Sequence, residues 1–494
     1  MNGFKNKIAA LAGRVRRRVR GGAFPAALLA LLLGAALALN ILAGALEERY
    51  ALRIDNSFNA LTTSSETTRS VLAELRHPVH VWALYARGSE DEAVLALLNR
   101  YAAMSPDFTW EQADVTVNPT LLTRFRAATE SESLGNDCLI VWCEATDRYR
   151  ALSYADFIGQ SFNPDTGAYE YASWTYEQAL TSAVLYVTRD EVPRVMILQG
   201  QGELDESAAA ALAGLWDSNA LDVAYFSLGA EQAALGAGDL LAVLSPQRDF
   251  TDDELKILTD FALDGGSILF TCDFSDRTAR MPNYLTLLRY YGFAPKEGVV
   301  IAAESDRGGY YENNRMYLIP RMRSTEITAP MVAADTTTLL MLGSRAFDWP
   351  EEADAALETE VVLRSGEDAY LRSLSDGRLS LEKGEGDEEG PFALALSARR
   401  VTERGQVSRA FILGSSALLT SADLYAMTDA EELIIRVTEY LMGEAQPAAD
   451  IVAKTAIRPR LTARSVFGGT LAAILLPMAV AFAAFVVLSW RRRL

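Results

Sequence analysis

The stretch DLLAVLSPQRDFTDDELKILTDFALDGGSILFTCD, residues 239–273, decides the fold class. It opens on DLLAVLSP, a short apolar run bounded by Ser245 and Pro246, which reads as a strand buried on both faces. Thr251 followed three residues later by Glu254 forms a capping-box signature that starts a helix. Gly265-Gly266 ends that helix, and SILFT follows as a second buried strand. Upstream the same rhythm holds, with the strand PRVMILQG, a helix over Asp205–Asn219 and the strand LDVAYFSL. Downstream it returns in SRAFILGSSALLT (408–420) and in a helix over Asp429–Gly443. Strands alternating with helices predict an open, mostly parallel α/β sheet over residues 191–443. Between the two α/β parts, about 308–400, the pattern is β-rich and irregular and reads as an insertion. Within it SDGRLSLEKGEGDEEGP (375–391) reads as a charged mobile loop.

Residues 46–190 read as a separate α/β domain. A helix capped by Ser64 or Ser65 precedes the strand PVHVWALYA, a helix over Asp91–Ser105 and the strand FTWEQADV. Strand, helix, strand in that order predicts a right-handed parallel crossover. A further helix is expected after Asn118-Pro119, then the strand DCLIVWC, with RYRAL returning beside it and a helix over Trp174–Thr188 closing the unit.

Two apolar runs flank these domains. Residues 23–45 read AFPAALLALLLGAALALNILAGA and residues 466–490 read VFGGTLAAILLPMAVAFAAFVVLSW, neither holding a charge. Each reaches the roughly 20 residues a helix needs to cross a bilayer, and the first is longer than the h-region of a signal peptide. Residues 1–22 carry seven basic residues and no acid, and Arg491–Arg493 close the chain, so both ends are expected in the cytoplasm. The expected organisation is a basic tail (1–22), a span (23–45), two extracytoplasmic domains, a linker (444–465), a second span (466–490) and a short tail (491–494). Lys454, Arg458, Arg460 and Arg464 precede the second span on its outer side, against the charge rule, which long translocated domains largely escape. Between the ends, 36 basic residues stand against 65 acidic ones, a net charge of −29. So acidic a body makes nucleic acid an unsuitable partner, whereas the basic ends suit anionic lipid.

The residues able to carry chemistry are few. In QGQGE, Gly200, Gln201, Gly202 and Glu203 follow a strand and precede a helix, at a carboxyl strand end where open α/β sheets bind ligands. The same residues would serve equally as a tight turn, and the Walker spacing is absent. Cys272 follows a strand but has no nucleophile elbow and no nearby base, so it reads as a small buried residue. Cys138 and Cys143, five apart on one strand, face opposite sides and cannot bond to each other. His77 and His80 read as strand-edge residues, no spacing suggests a metal site, and Asp387-Glu388-Glu389 reads as a solvated loop. Asp252, Asp253 and Glu254 suit the first turn of a helix. No catalytic residue, metal or cofactor is expected.

Taken in order, several segments resemble one known family. They are FNALTTSSETTRSVLAELRHPVHVWAL, NRYAAMSPDFTWEQADVTVNPTLLTRF, ILQGQGELDESAAAALAGL, the 239–273 stretch and the final apolar run with its arginines. The chain resembles the GldG family, the auxiliary membrane component of ABC-type transport systems first associated with gliding motility. The family's usual His in its "GHGE" turn is Gln201 here. The resemblance implies a glutamine-amidotransferase-like α/β domain lacking that fold's catalytic residues. It implies a non-enzymatic accessory subunit in the cell membrane, partnered by a separate ATPase and a multi-span permease. The rival expectation is an envelope hydrolase or amidotransferase-like enzyme, which would need a nucleophile and a base brought together. A solute-binding protein with a cleft between the two domains is a third.

Overall fold

The computed structural model describes residues 64–455, apart from 119, 124, 126–134, 164–167, 230–234, 350–354, 374–380, 444–450 and 452–453. The apolar runs 23–45 and 466–490, both tails and nearly all of the linker lie outside the described residues. Among the described residues no helix is long and apolar enough to cross a membrane.

The chain is a mixed α/β protein with several sheets. In its first part, α1 (Glu66–Ala73) is capped by Ser65, whose side chain accepts from Thr68 N. Strand β1 (Val79–Leu84), helix α2 (Glu92–Met104) and strand β2 (Phe108–Ala113) form the expected parallel pair. Asp91 caps α2 with its side chain, as an aspartate at that position should. Strand β3 (Cys138–Cys143) runs antiparallel to β1, and β4 (Arg148–Leu152) returns beside it. The sheet order is β2-β1-β3-β4. Alternation sorts its side chains: Val79, Val81, Leu139, Val141 and Cys143 join the helix-side core, while Trp82, Leu84, Cys138 and Ile140 form a second cluster with Phe125. The two cysteines of β3 therefore do face opposite sides, and both are free and buried.

A hairpin follows that the sequence reading did not anticipate, β5 (Ile158–Asn163) and β6 (Ala168–Trp174). Helix α3 (Tyr176–Thr188) then lies over the first core through Leu180, Ala183, Val184 and Val187. Buried Glu177, in its first turn, accepts from Ser65 N at 2.6 Å and from Thr68 Oγ1 at 2.7 Å. That carboxylate pins the start of α1 onto α3.

The larger sheet begins with β7 (Arg194–Gln199), then α4 (Ala210–Ser218), β8 (Asp222–Ser227), β9 (Leu240–Leu244), α5 (Asp252–Leu263) and β10 (Ser267–Thr271). The Thr251/Glu254 capping box is present as read. Helix α6 (Pro282–Tyr290) follows. Strands β11 (Leu357–Arg364) and β12 (Ala393–Val401) pair antiparallel, and β12 lies antiparallel to β13 (Val407–Leu413). Strands β8-β7-β9-β10-β13 are parallel neighbours in that order, with the chain reversing its direction of addition between β7 and β9. The end of the predicted insertion thus belongs to the main sheet, because β11 and β12 extend it beyond β13. Of the stretch read as a mobile loop, residues 375–380 lie outside the described residues, and the rest forms ion pairs. Asp387 pairs with Arg372 at 3.0 Å, Glu388 with Lys296 at 2.8 Å, and Glu389 with Lys383.

Helices α7 (Ala422–Met427) and α8 (Ala430–Met442) follow, and α8 packs Leu433, Ile434, Val437 and Leu441 into the core on one face of the large sheet. The chain then returns to the first part, where β14 (Lys454–Thr455) pairs antiparallel with β6, Lys454 opposite Trp174 and Thr455 opposite Ser173.

Candidate functional site

The carboxyl ends of the parallel strands gather the polar groups that the fold leaves for chemistry. A chain reversal such as that between β7 and β9 opens a crevice where α/β sheets usually take ligands. Here two loops fill it. After β7, Gly200 and Gly202 adopt φ of 126° and 78°, which only glycine tolerates readily. After β9, Ser245 turns at φ 51°. The Gln201 carbonyl accepts from both Gln247 N and Arg248 N at 2.9 Å, and the Arg248 guanidinium donates to the Gly200 carbonyl. A Cβ on Gly202 would stand 3.1 Å from Gln247 Cβ, so the loops touch closely. The Gln201 amide side chain donates to Glu254 Oε1 at 2.8 Å, tying the turn to the capping box of α5.

Glu203 is buried. Its Oε2 accepts from Gln201 N at 2.6 Å, while its Oε1, shielded from solvent, has no hydrogen-bond partner among the described residues. Burial holds the Glu203 carboxyl above its ordinary range. The four predicted residues thus do sit together, three of them closing the crevice and the fourth offering one unmet acceptor.

In the loop after β10 the sequence reading considered Cys272 but did not single out the carboxylates of Asp273 and Asp276. Asp273 accepts from Ser416 N and Ser416 Oγ, each at 2.6 Å, and from Ser245 Oγ at 3.1 Å. Asp276 accepts from Gln247 Nε2 at 2.7 Å and from Asp273 N at 2.8 Å. Behind them Arg345, wholly buried, donates to the carbonyls of Asp273 (3.0 Å), Asp276 (2.7 Å), Lys296 (3.2 Å) and Phe274 (3.4 Å). Its nearest carboxylate is Glu297, at 3.4 Å. No local signal marks Arg345, because its partners lie far back in the chain.

Burial pushes Asp276 up to about 6 from an ordinary 3.8. The folded value lies above the unfolded one, so the native state keeps the extra proton between about pH 4 and pH 6. Stability from this group therefore declines as the pH rises through that window, by at most about 3 kcal/mol. Asp276→Asn should flatten that slope in urea titrations at pH 4.5 and pH 7. A slope equal to that of the unmutated chain would refute the assignment.

Cys272 is wholly buried, 3.3 Å from Thr278 Oγ1, and burial pushes its thiol up to about 12. It stays protonated at neutral pH and is no ready nucleophile. His77 contacts Asp190 at 3.2 Å, and His80 contacts Thr109 at 2.9 Å and Glu111 at 3.7 Å, all in the first part of the chain. Among the described residues no group of His, Cys, Asp and Glu is placed to hold a metal ion. The carboxylates at the strand ends are instead bonded within the protein, Asp273 to Ser416 and Ser245 and Asp276 to Gln247. A separate open hollow of about 710 Å³ lies between α1 and the end of α3, with Val71, Leu75, Leu185 and Pro193 in its lining.

No family model matches the chain, and no curated protein matches it. Among solved structures it is similar to the mmIFT52 N-terminal domain, with a TM-score of 0.37 and 14% identity over 52% of this chain and 99% of that chain. It is also similar to a putative ThuA-like protein from Parabacteroides merdae ATCC 43184, with a TM-score of 0.30 and 12% identity over 52% of this chain and 92% of that one.

Proposed function

We propose that the chain is a non-enzymatic, membrane-anchored accessory subunit of an ABC-type transporter, of the GldG kind. Residues 23–45 and 466–490 tether it, with both tails cytoplasmic and the acidic body outside. A separate ATPase and a multi-span permease supply the motor and the pore. The large sheet then acts as an amidotransferase-like scaffold turned to binding, with Gly200, Gln201, Gly202 and Glu203 as its ligand-facing turn. One observation carries the reading beyond the ordered sequence resemblance. The crevice where such a sheet would do chemistry is closed by the Gln201 carbonyl bonding Gln247 N and Arg248 N, beside a thiol that burial keeps protonated. That arrangement speaks against the hydrolase alternative.

Purification of the full-length chain from its own membranes in mild detergent tests this. An ATP-hydrolysing subunit and a multi-span membrane protein are expected to accompany it in fixed proportion. Recovery of the chain alone, under conditions that preserve other transporter complexes from the same membranes, would count against the proposal.

A further inference from the structure

The two connections from the body to the apolar runs meet at one place. On the incoming side, Ser65 N is bonded to Glu177 at 2.6 Å. On the outgoing side, Lys454 lies opposite Trp174 and Thr455 opposite Ser173. Residues 174–177 thus receive both. Because β14 is antiparallel to β6, the chain leaves Thr455 heading along β6 toward Ala168, the outer end of the hairpin.

We propose that the small sheet β5–β6–β14 is the membrane-facing surface of the body, lying against the headgroups of the outer leaflet. This rests on the tethered reading given above, and three observations on the chain argue for it. Only residues 456–465 separate Thr455 from the apolar run that starts at Val466. Ten residues fully drawn out span no more than about 35 Å, so this sheet is held close to the bilayer. Tyr171, on β6, and Tyr154, just before β5, are 63% and 52% exposed. Tyrosine, with an apolar ring and a polar tip, suits the boundary between water and lipid. Finally, residues 451–465 contain Lys454, Arg458, Arg460 and Arg464 and no acid, on a body that is otherwise strongly negative. A basic segment complements anionic headgroups, while the acidic remainder is repelled by them, and of the four bases Lys454 lies on this sheet itself. The four bases that break the charge rule thereby acquire a role.

The test uses the full chain in vesicles of phosphatidylglycerol and phosphatidylcholine doped with a nickel-chelating lipid. The three native cysteines are buried, so a nitroxide can be placed selectively by Tyr171→Cys, Tyr154→Cys, Val117→Cys or Val332→Cys. The last two positions are also exposed, at 80% and 40%, and serve as references. Headgroup nickel should speed nitroxide relaxation at 154 and 171 at least fivefold over 117 and 332. Equal relaxation at all four sites, or the reverse order, overturns this inference alone, provided the chain stays with the vesicles through an alkaline carbonate wash. Release of the chain by that wash removes the tether, and this inference with it.

Discussion

Replacing Arg345 by Met should destabilise the protein by about 3–5 kcal/mol, the cost of breaking a buried charged network. The guanidinium is fully buried and donates to the carbonyls of Asp273, Phe274, Asp276 and Lys296. Removing it strands those carbonyls away from water and frees the loop that carries Asp273 and Asp276. It also removes a positive charge that acts on the buried Asp276 carboxylate. Arg345→Lys should recover only part of the loss, because a single ammonium cannot reach carbonyls spread around a planar fork. Urea unfolding of the full-length protein in detergent, followed by tryptophan fluorescence, gives the comparison. A shift below about 1 kcal/mol for the Met variant would show that the clamp is not what holds this loop.

Trp216→Ala should cost a similar amount, about 3–5 kcal/mol. Trp216 is 1% exposed in the core on one face of the large sheet, among Leu212, Leu221, Leu433, Ile434 and Val437. Its indole nitrogen donates to Thr438 Oγ1 at 2.9 Å, linking α4 to α8 across that face. Thr438→Val keeps the shape and removes the acceptor, at about 1 kcal/mol. Combining the two should cost less than their sum, since the hydrogen bond can be lost only once. Strict additivity would mean that the bond contributes nothing to the packing.

The sequence made the regular elements legible wherever local chemistry was strong. Thr251 and Glu254 announced α5, Gly265-Gly266 its end, and the apolar runs around Leu241 and Ile268 the buried strands between which it crosses. The alternation in DCLIVWC placed Cys138 and Cys143 on opposite faces, as found. The predicted turn at Gly200–Glu203 was also correctly located at a strand end. What could not be read were pairings between distant segments. Arg345 sits in an unremarkable GSRAF, and its meaning lies in carbonyls contributed by residues 273–276 and 296. The β5–β6 hairpin alternates only weakly, in IGQSFN and AYEYASW, and nothing in AKTA around Lys454 suggests a strand. The raised pKa of Asp276 comes chiefly from the burial that tertiary packing imposes.

The pairing of β14 with β6 also sets an order of assembly. Trp174 leaves the ribosome long before Lys454, so the hairpin must wait, one edge unsatisfied, until nearly the whole body has been made. A hydrogen-bonding edge left bare is an invitation to another chain, and contacts this distant form late. Lys454 and Thr455 therefore act as a latch on β6, and a chain cut short before them would leave that edge of the hairpin bare.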